Sequence, residues 1–438
     1  METRLAAFRP QADDAPGTAS PLPVMPPMTA SSATSLNGLK VLDLSRVLAG
    51  PWATQILADL GAEVIKVEQP GQGDDTRRWG PPFVDDGSRD SAYYLCANRN
   101  KRSIAVDLAR PDGAAIIRKL ATQSDIVVEN FRVGGLVKYG LDYATLSTAN
   151  PRLIYCSITG FGQSGPYKDR GGYDFLVQGM SGLMSVTGRP DDEPGGGPIK
   201  VGIPISDLVT GLYASISILA ALNHRNATGQ GQHIDCALLD TQVALLANQA
   251  SNYLNGGVIP RRLGNEHPNT VPYQDFTCAD GDILVALGND RQFRAFCDLI
   301  GRPDLPDDAR FVDNAGRSLN RKALQAEMGA AIAPWRSADL IAAMEAAKLP
   351  GGKVNEIPEI LSDPQIEARG LVKRMIRSTG AEVQVLGFPA QLSETPARYD
   401  RAPPLSGEDT LEVLKDQLHF DETDIARLIA AGVIAERL

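Results

Sequence analysis

Apolar residues fall in short runs through the first half of the chain, and the runs alternate with segments of helical spacing. VLDLS from Val41, EVIKVE from Glu63, RSIAVDL from Arg102, DIVVENF from Asp125 and LIYCSITGF from Leu153 are rich in Val and Ile. Short apolar runs bounded by polar or turn residues predict β-strands buried on both faces. Between them, WATQILADLG places Ile56, Leu57 and Leu60 on one helix face. PDGAAIIRKLA opens on Pro111, whose fixed φ suits a first helical turn. Strands alternating with helices imply βαβ units, so the fold class is α/β with a Rossmann-like, doubly wound parallel sheet. Ligands of such sheets sit beyond the carboxyl ends of the strands.

The pattern changes along the chain. TGRPDDEPGGGP, from Thr187 to Pro198, reads as a loop. PISDLVTGLYASISILAAL follows and predicts a helix headed by Asp207, with no charge after it until His224. A TGQGQ turn and a helical region from Leu238 to Leu254 come next. YQDFTCADGDILVALGN reads as a hairpin turning at Asp280-Gly281. Helices are expected over Gln292 to Ile300 and in the Ala-rich tract after Arg321. The last stretch reads as a Pro-rich return followed by two short helices. The expected division is a disordered tail over 1–35, a large domain over 36–264, a smaller α+β domain over 265–373 and a return to the large domain over 374–438. Met25 and Met28 offer alternative starts within the tail.

Composition narrows the function. The chain has 438 residues, 43% hydrophobic and 22% charged, ample for a sizeable core. A net charge of −10 argues against nucleic acid as a partner. No apolar run is expected to span a membrane. Five cysteines without a CxxC pair suit a reducing, cytoplasmic setting, and four histidines show no metal-ligand spacing, so no metal is expected. The first strand–helix junction, DLSRVLAGPWATQ, lacks GxGxxG, and no GxxxxGK[ST] occurs. NAD and ATP are therefore not expected as cofactors.

A basic and polar set does point to a ligand. GDDTRRWGPPF carries Arg77, NRNKRSIAVDL carries Lys101 and Arg102, and ENF places Asn130 and Phe131 at a strand end with Lys138 beyond. Cations, an amide and an aromatic ring at one sheet edge suit a phosphorylated, adenine-bearing ligand. The alternative is a set of solvated charges flanking strands.

LNGLKVLDLSRVLAGPWATQILADLGAEVIKVEQPGQGDDTR, NRNKRSIAVDL, DIVVENF, IYCSITGFGQSGPY and GGYD, in that order, closely resemble the class III CoA-transferase family. The resemblance runs from about Leu36 to the C-terminus. Tyr253 in NYL, with GNEHPNTVPYQDF and GNDRQF, makes the chain look most like the succinyl-CoA:glutarate or hydroxymethylglutarate branch. It implies a homodimer of interlocked chains, coenzyme A or acyl-CoA as co-substrate, and transfer of CoA between short dicarboxylic acids.

It also implies roles. Asp207 matches the nucleophile, which forms a mixed anhydride and then an aspartyl-CoA thioester. A helix N-terminus is expected to favour the ionised carboxylate. Val47, Leu48, Val106, Asn130, Phe131 and Lys138 match residues lining the CoA site. Tyr173 and Asp174 match an active-site pair, and Tyr173 stands where the related α-methylacyl-CoA racemases carry His. Gly264 is a candidate to donate N–H groups to an oxyanion or to shield the anhydride. Arg170, Arg261 and Arg262 are candidates to grip the far carboxylate of a diacid. The chain departs from the family at Gln69, where relatives often have Arg to meet the CoA nucleotide; Arg77 or Arg78 would have to supply that contact. SGEDT at Ser406 to Thr410 replaces a common Gly-x-His-Thr.

Overall fold

The computed structural model describes residues 34–437. The Ser35 hydroxyl donates to the Leu60 carbonyl at 3.4 Å, so described chain begins just inside the expected tail. The rest of that tail, with Met25 and Met28, lies outside the described residues.

In chain order come β1 (Lys40–Asp43), α1 (Ala49–Asp59), β2 (Glu63–Glu68), α2 (Ala92–Leu95), β3 (Lys101–Val106), α3 (Pro111–Thr122), β4 (Ile126–Glu129), α4 (Tyr143–Ala149) and β5 (Ile154–Thr159). Then follow α5 (Asp174–Met180), α6 (Leu183–Val186), α7 (Ile205–Thr228), β6 (Gln232–Ala237), α8 (Leu238–Ala244) and α9 (Ala247–Gly256). The remaining strands are β7 (Tyr273–Cys278), β8 (Gly281–Ala286), β9 (Gly351–Gly352), β10 (Val372–Ile376), β11 (Glu382–Leu386) and β12 (Ile434–Ala435).

All five expected strands form, and the main sheet has the order β12-β3-β2-β1-β4-β5-β6. It differs from expectation in two members. β6 pairs parallel with β5 from Ile154↔Gln232 to Thr159↔Ala237, yet its first four residues are partly or fully exposed, so no apolar run announced it. β12 pairs antiparallel with β3, which makes the sheet mixed rather than wholly parallel. Both faces are covered. Ala53 and Leu57 of α1 and Ala214 and Ile218 of α7 pack on one face. Ile116, Ile117 and Leu120 of α3 and Leu414 near the C-terminus pack on the other. Strands buried on both sides need apolar residues at consecutive positions, which is why they read as continuous runs.

β7, β8 and β9 form a separate antiparallel sheet over a core of its own that includes Phe293, Phe296, Phe311, Met328 and Met344. Its hairpin turns at Ala279-Asp280, one residue earlier than expected, because Cys278 pairs with Gly281. β10 and β11 form an unexpected second hairpin, and Met375, Val383 and Val385 pack with Tyr94 and Leu95 of α2. α7 corrects another expectation: by length and composition it is apolar enough to cross a membrane. It instead packs closely on α1, where a Cβ on Gly211 would meet the Ala49 carbonyl oxygen at 2.7 Å.

Candidate active site

Strand order reverses between β1 and β4, and the crevice beyond their carboxyl ends is where an open α/β sheet takes its ligand. Here the loop from β1 to α1 is tightly built without a glycine turn. Val47 holds φ at 70°, a left-handed conformation costly for a β-branched residue. The Val47 N–H donates to both Asp74 carboxylate oxygens at 3.3 Å. Asn130 brackets the preceding residue: its oxygen accepts the Arg46 N–H at 2.9 Å and its amide donates to the Arg46 carbonyl at 2.7 Å. Beyond the loop, α1 begins without a side-chain cap. The start of a helix is the positive end of its dipole and favours an anion.

A buried ionic network underlies this loop. Lys101 Nζ pairs with Asp43 at 3.0 Å, and Lys66 Nζ pairs with Asp74 at 2.8 Å and donates to the Ser45 carbonyl at 2.9 Å. Asp43 also accepts from the Ser45 and Thr54 hydroxyls at 2.5 and 2.6 Å. Burial disfavours the Asp74 charge, yet Lys66 and the Thr76 donors outweigh it and hold that carboxyl down at about 2. Burial lowers Lys101 to about 8 despite Asp43.

On the other side of the crevice, two backbones touch. A Cβ on Gly160 would lie 2.5 Å from the Gly172 Cα, and one on Gly172 2.4 Å from the Gly160 Cα. Only glycine at both positions lets the loop after β5 fold back and deliver Tyr173 and α5 to the strand end. Arg170 on this loop stacks over Tyr167 at 4.7 Å and Phe161 at 5.4 Å. Tyr173 is 71% exposed.

Asp207 lies in the first turn of α7, behind the Pro204 cap position, and is not itself the cap. Asp174 takes that role from α5: it accepts the Ser206 N–H at 2.7 Å and the Asp207 N–H at 3.3 Å. The Gln178 amide holds Asp174 at 2.6 Å. The helix N–H groups expected to favour an ionised Asp207 are thus spent on Asp174. Burial first, and then the neighbouring Asp174 charge, push Asp207 up to about 7. The sequence expectation of a helix-stabilised carboxylate is corrected by this geometry.

Asp207 opens onto a cavity of about 450 Å³ that Val47, Leu48, Asn130, Phe131, Arg170 and Tyr173 also line. Val106 and Lys138 line an adjoining cavity of about 300 Å³, and the two share Arg46, Asp75, Phe131 and Gly135. The structure therefore brings together Asp207, Tyr173, Arg170 and the six residues matched to a CoA site. Asn130 is there as a loop clamp, since its amide is bonded on both sides to the Arg46 backbone. Asp174 stands just behind, as the cap of α7.

Five expected residues are placed elsewhere. Lys101 is wholly buried on Asp43 and supports the loop from beneath. Arg102 turns to Glu63, Glu412 and Asp409, away from the crevice, because its side chain points to the amino end of β2. Arg77 is buried against Glu68, Asp90 and the Tyr94 hydroxyl. Gly264 donates its N–H to the Gly188 carbonyl at 3.0 Å and does not line the Asp207 cavity. Arg262 is committed to an ion pair with Asp191. The SGEDT departure is locally compensated: Asp409 accepts the Ser103 N–H at 2.8 Å and pairs with Arg401. Among the described residues no cluster of His, Cys, Asp and Glu could hold a metal ion.

Sequence reasoning missed Tyr93. Burial, and next the Asp207 charge, push its phenol up. Trp79 packs edge-on to it, with ring centroids 5.4 Å apart. The only signal was an aromatic pair in AYYL, indistinguishable in sequence from core; its neighbour Tyr94 is indeed core.

Comparison with known proteins agrees with the motifs. A family model described as CoA-transferase family III matches residues 36–410. The chain is 49% identical over 391 residues to the succinate–glutarate CoA-transferase of Agrobacterium fabrum, covering 89% of this chain and 97% of that relative. It is 43% identical over 399 residues to the human succinyl-CoA:glutarate CoA-transferase, covering 91% and 90%. A solved CAIB/BAIF family protein from Brucella suis superposes with a TM-score of 0.77 at 46% identity, covering 89% of this chain and 100% of that one. The chain belongs to CoA-transferase family III and is a CoA-transferase.

Proposed function

We propose that the enzyme moves CoA from succinyl-CoA to a short dicarboxylic acid such as glutarate or hydroxymethylglutarate, with Asp207 as nucleophile. The observation that carries this reading is a carboxylate without a hydrogen-bond partner among the described residues, facing a cavity whose walls include unpaired cations. The succinate–glutarate and succinyl-CoA:glutarate CoA-transferases to which the chain is similar suggest the donor and the acceptor class.

Four displacements complete the exchange. An Asp207 oxygen attacks the succinyl thioester carbonyl, the C–S bond breaks, and a mixed anhydride and CoA thiolate result. The thiolate attacks the aspartyl carbonyl, the anhydride C–O bond breaks, and succinate leaves an aspartyl-CoA thioester behind. The acceptor carboxylate attacks this thioester and expels the thiolate, forming a second anhydride. The thiolate then attacks the acceptor acyl carbon, releasing the new acyl-CoA and the free Asp207 carboxylate. No net proton or high-energy phosphate is consumed.

Arg170 receives the far carboxylate of the diacid in this reading. It lines the Asp207 cavity, is held by two aromatic rings and has no carboxylate partner among the described residues. The chain works as a homodimer. Phe175, Met180, Ile216, Leu254 and Ile259 are large apolar side chains left exposed on and beside α5, α7 and α9, and a second copy would cover them. Five unpaired thiols suit the reducing cytoplasm.

The test mixes purified enzyme, succinyl-CoA and a panel of carboxylic acids, and reads new acyl-CoA species by mass spectrometry. Glutaryl-CoA or hydroxymethylglutaryl-CoA from the wild type, and none from Asp207→Ala, is the expected result. Product from Asp207→Ala would remove Asp207 as nucleophile. Solvent deuterium entering the α-carbon of an acyl-CoA without any acceptor would replace transfer by racemisation.

A further inference from the structure

A third cavity, of about 460 Å³, lies beside the two at the switch point and touches no residue of the Asp207 cavity. It shares Gln72 with the cavity lined by Val106 and Lys138. Three cavities therefore follow one another, from Asp207 past Phe131 and Lys138 to Gln72. The turn between the second and third, Gln69 to Gly73, is closed by the Gln72 and Gly73 N–H groups on the Gln69 carbonyl.

This third cavity is cationic with little to neutralise it. Arg89 is exposed on its wall, forms no ion pair among the described residues, and holds φ at 59°. A non-glycine residue in that conformation carries strain that its surroundings must enforce. Arg78 is exposed beside it, donating to the Gln72 carbonyl at 2.6 Å and lying 3.4 Å from Asp75. The one carboxylate in the lining, Asp90, is already taken by Arg77 and Arg377 at 2.9 and 2.6 Å. Ser406 also lines the cavity and is 6% exposed, and its hydroxyl has no hydrogen-bond partner. An unpaired guanidinium on Arg89, a second exposed one on Arg78 whose ion pair with Asp75 is long, and an unmatched hydroxyl suit a phosphate monoester.

Gln69 gives this arrangement a purpose. It lines the second cavity with a neutral amide. Arg77 cannot make up the missing charge, since Glu68, Asp90 and Tyr94 occupy its donors. We propose that Arg78 and Arg89 form the terminal phosphate subsite of this enzyme, holding the 3′-phosphate of a CoA whose thioester end reaches Asp207. The inference rests on the CoA-binding reading of the first two cavities and does not require transfer to occur.

Calorimetric titration of CoA and of 3′-dephospho-CoA into the wild type and into an Arg78→Gln/Arg89→Gln double variant tests it. The wild type binds CoA more tightly than dephospho-CoA by about tenfold or more, the scale of hydrogen bonds to a charged group. The double variant binds both at the level the wild type shows for dephospho-CoA, with an unchanged circular dichroism spectrum and melting temperature. Adenosine 3′,5′-bisphosphate competes with CoA. The same CoA preference in wild type and double variant overturns the proposal. So does adenosine 3′,5′-bisphosphate binding alongside CoA, which would make the cavity a separate nucleotide site. A wild type that binds CoA but transfers nothing sinks the transferase mechanism alone, so the two failures are told apart.

Discussion

Two sets of carboxylates stand at the carboxyl edge of one sheet and behave in opposite ways. Asp43, Glu68 and Asp74 are buried deeply, each with a cation and hydroxyl or N–H donors, and all three titrate below their ordinary values. Burial pushes Asp207 up to about 7 because neither cation nor donor offsets it, and the Asp174 charge adds to the shift. Partners, not depth, decide the sign of the shift. The first set pins the loop that carries Val47 and Leu48; the second leaves one carboxyl ready to react. Glu129 shows the limit of the contrast. Burial pushes it to about 7 as well, but it is bonded to Ser157 and the Phe131 N–H and lines a different cavity. A raised pKa marks a reactive group only where a substrate-sized cavity meets it.

The contrast breaks most sharply at its two extremes. Asp207→Ala is expected to lower transfer by about a thousandfold or more, as loss of a nucleophile does, read from initial rates of glutaryl-CoA formation. Asp207→Asn adds a stability readout. The folded state holds a proton on Asp207 up to about 7, whereas the unfolded chain releases it near 3.8. Stability therefore falls as pH rises between those values, and the penalty is complete above about 7. The Asn variant removes it, so its melting temperature should exceed the wild type at about pH 8 and match it near pH 4. On the scaffold side, Lys66→Ala strands the buried Asp74 and is expected to cost about 3–5 kcal/mol in urea unfolding. Wild-type Asp74 contributes stability that is full above 3.8 and lost as pH falls toward about 2. The variant should lack that acid-side loss.

How much of this was legible follows from the same physics. The strands were, because burial on both faces forces consecutive apolar residues. β6 was not, because its first four positions keep solvent contact. The residues lining the Asp207 cavity were legible through motifs in order. The cations were misread for a specific reason: in sequence, Lys101, Arg102 and Arg77 look like Lys138, and only tertiary packing shows that three of them answer carboxylates of the scaffold. The cap was misread likewise. A carboxylate at a helix start predicts capping, and nothing local reveals that Asp174, 33 positions earlier, has taken the N–H groups.

A smaller effect tests how the two sides of the crevice are held at their distance. Gly160→Val drives a side chain into the Gly172 backbone, which lies 2.5 Å from the position of the first added carbon. Overpacking of this kind costs about 1–3 kcal/mol. Because the displaced loop carries Arg170 and Tyr173, turnover should fall further than stability alone explains. A variant that loses stability but keeps wild-type kcat and KM would show that the loop position does not matter to the chemistry.

The smallest expected change is the most specific. Asp174→Asn keeps an oxygen for the Ser206 N–H but removes the charge that Asp207 feels. Burial is the larger cause and remains, so Asp207 should descend only part of the way from about 7 toward its ordinary value. Since attack needs the ionised carboxylate, the acid limb of kcat/KM, which reports the free enzyme, should move to lower pH. The variant then outpaces its own alkaline rate fraction of the wild type at mildly acid pH while approaching a common plateau above about pH 8. A limb fixed at about 7 would assign the whole shift to burial, and Asp174 would be a cap and nothing more. A limb displaced upward would mean that the Asn cap loosens α7 and buries Asp207 further, which reverses the role given to the Asp174 charge.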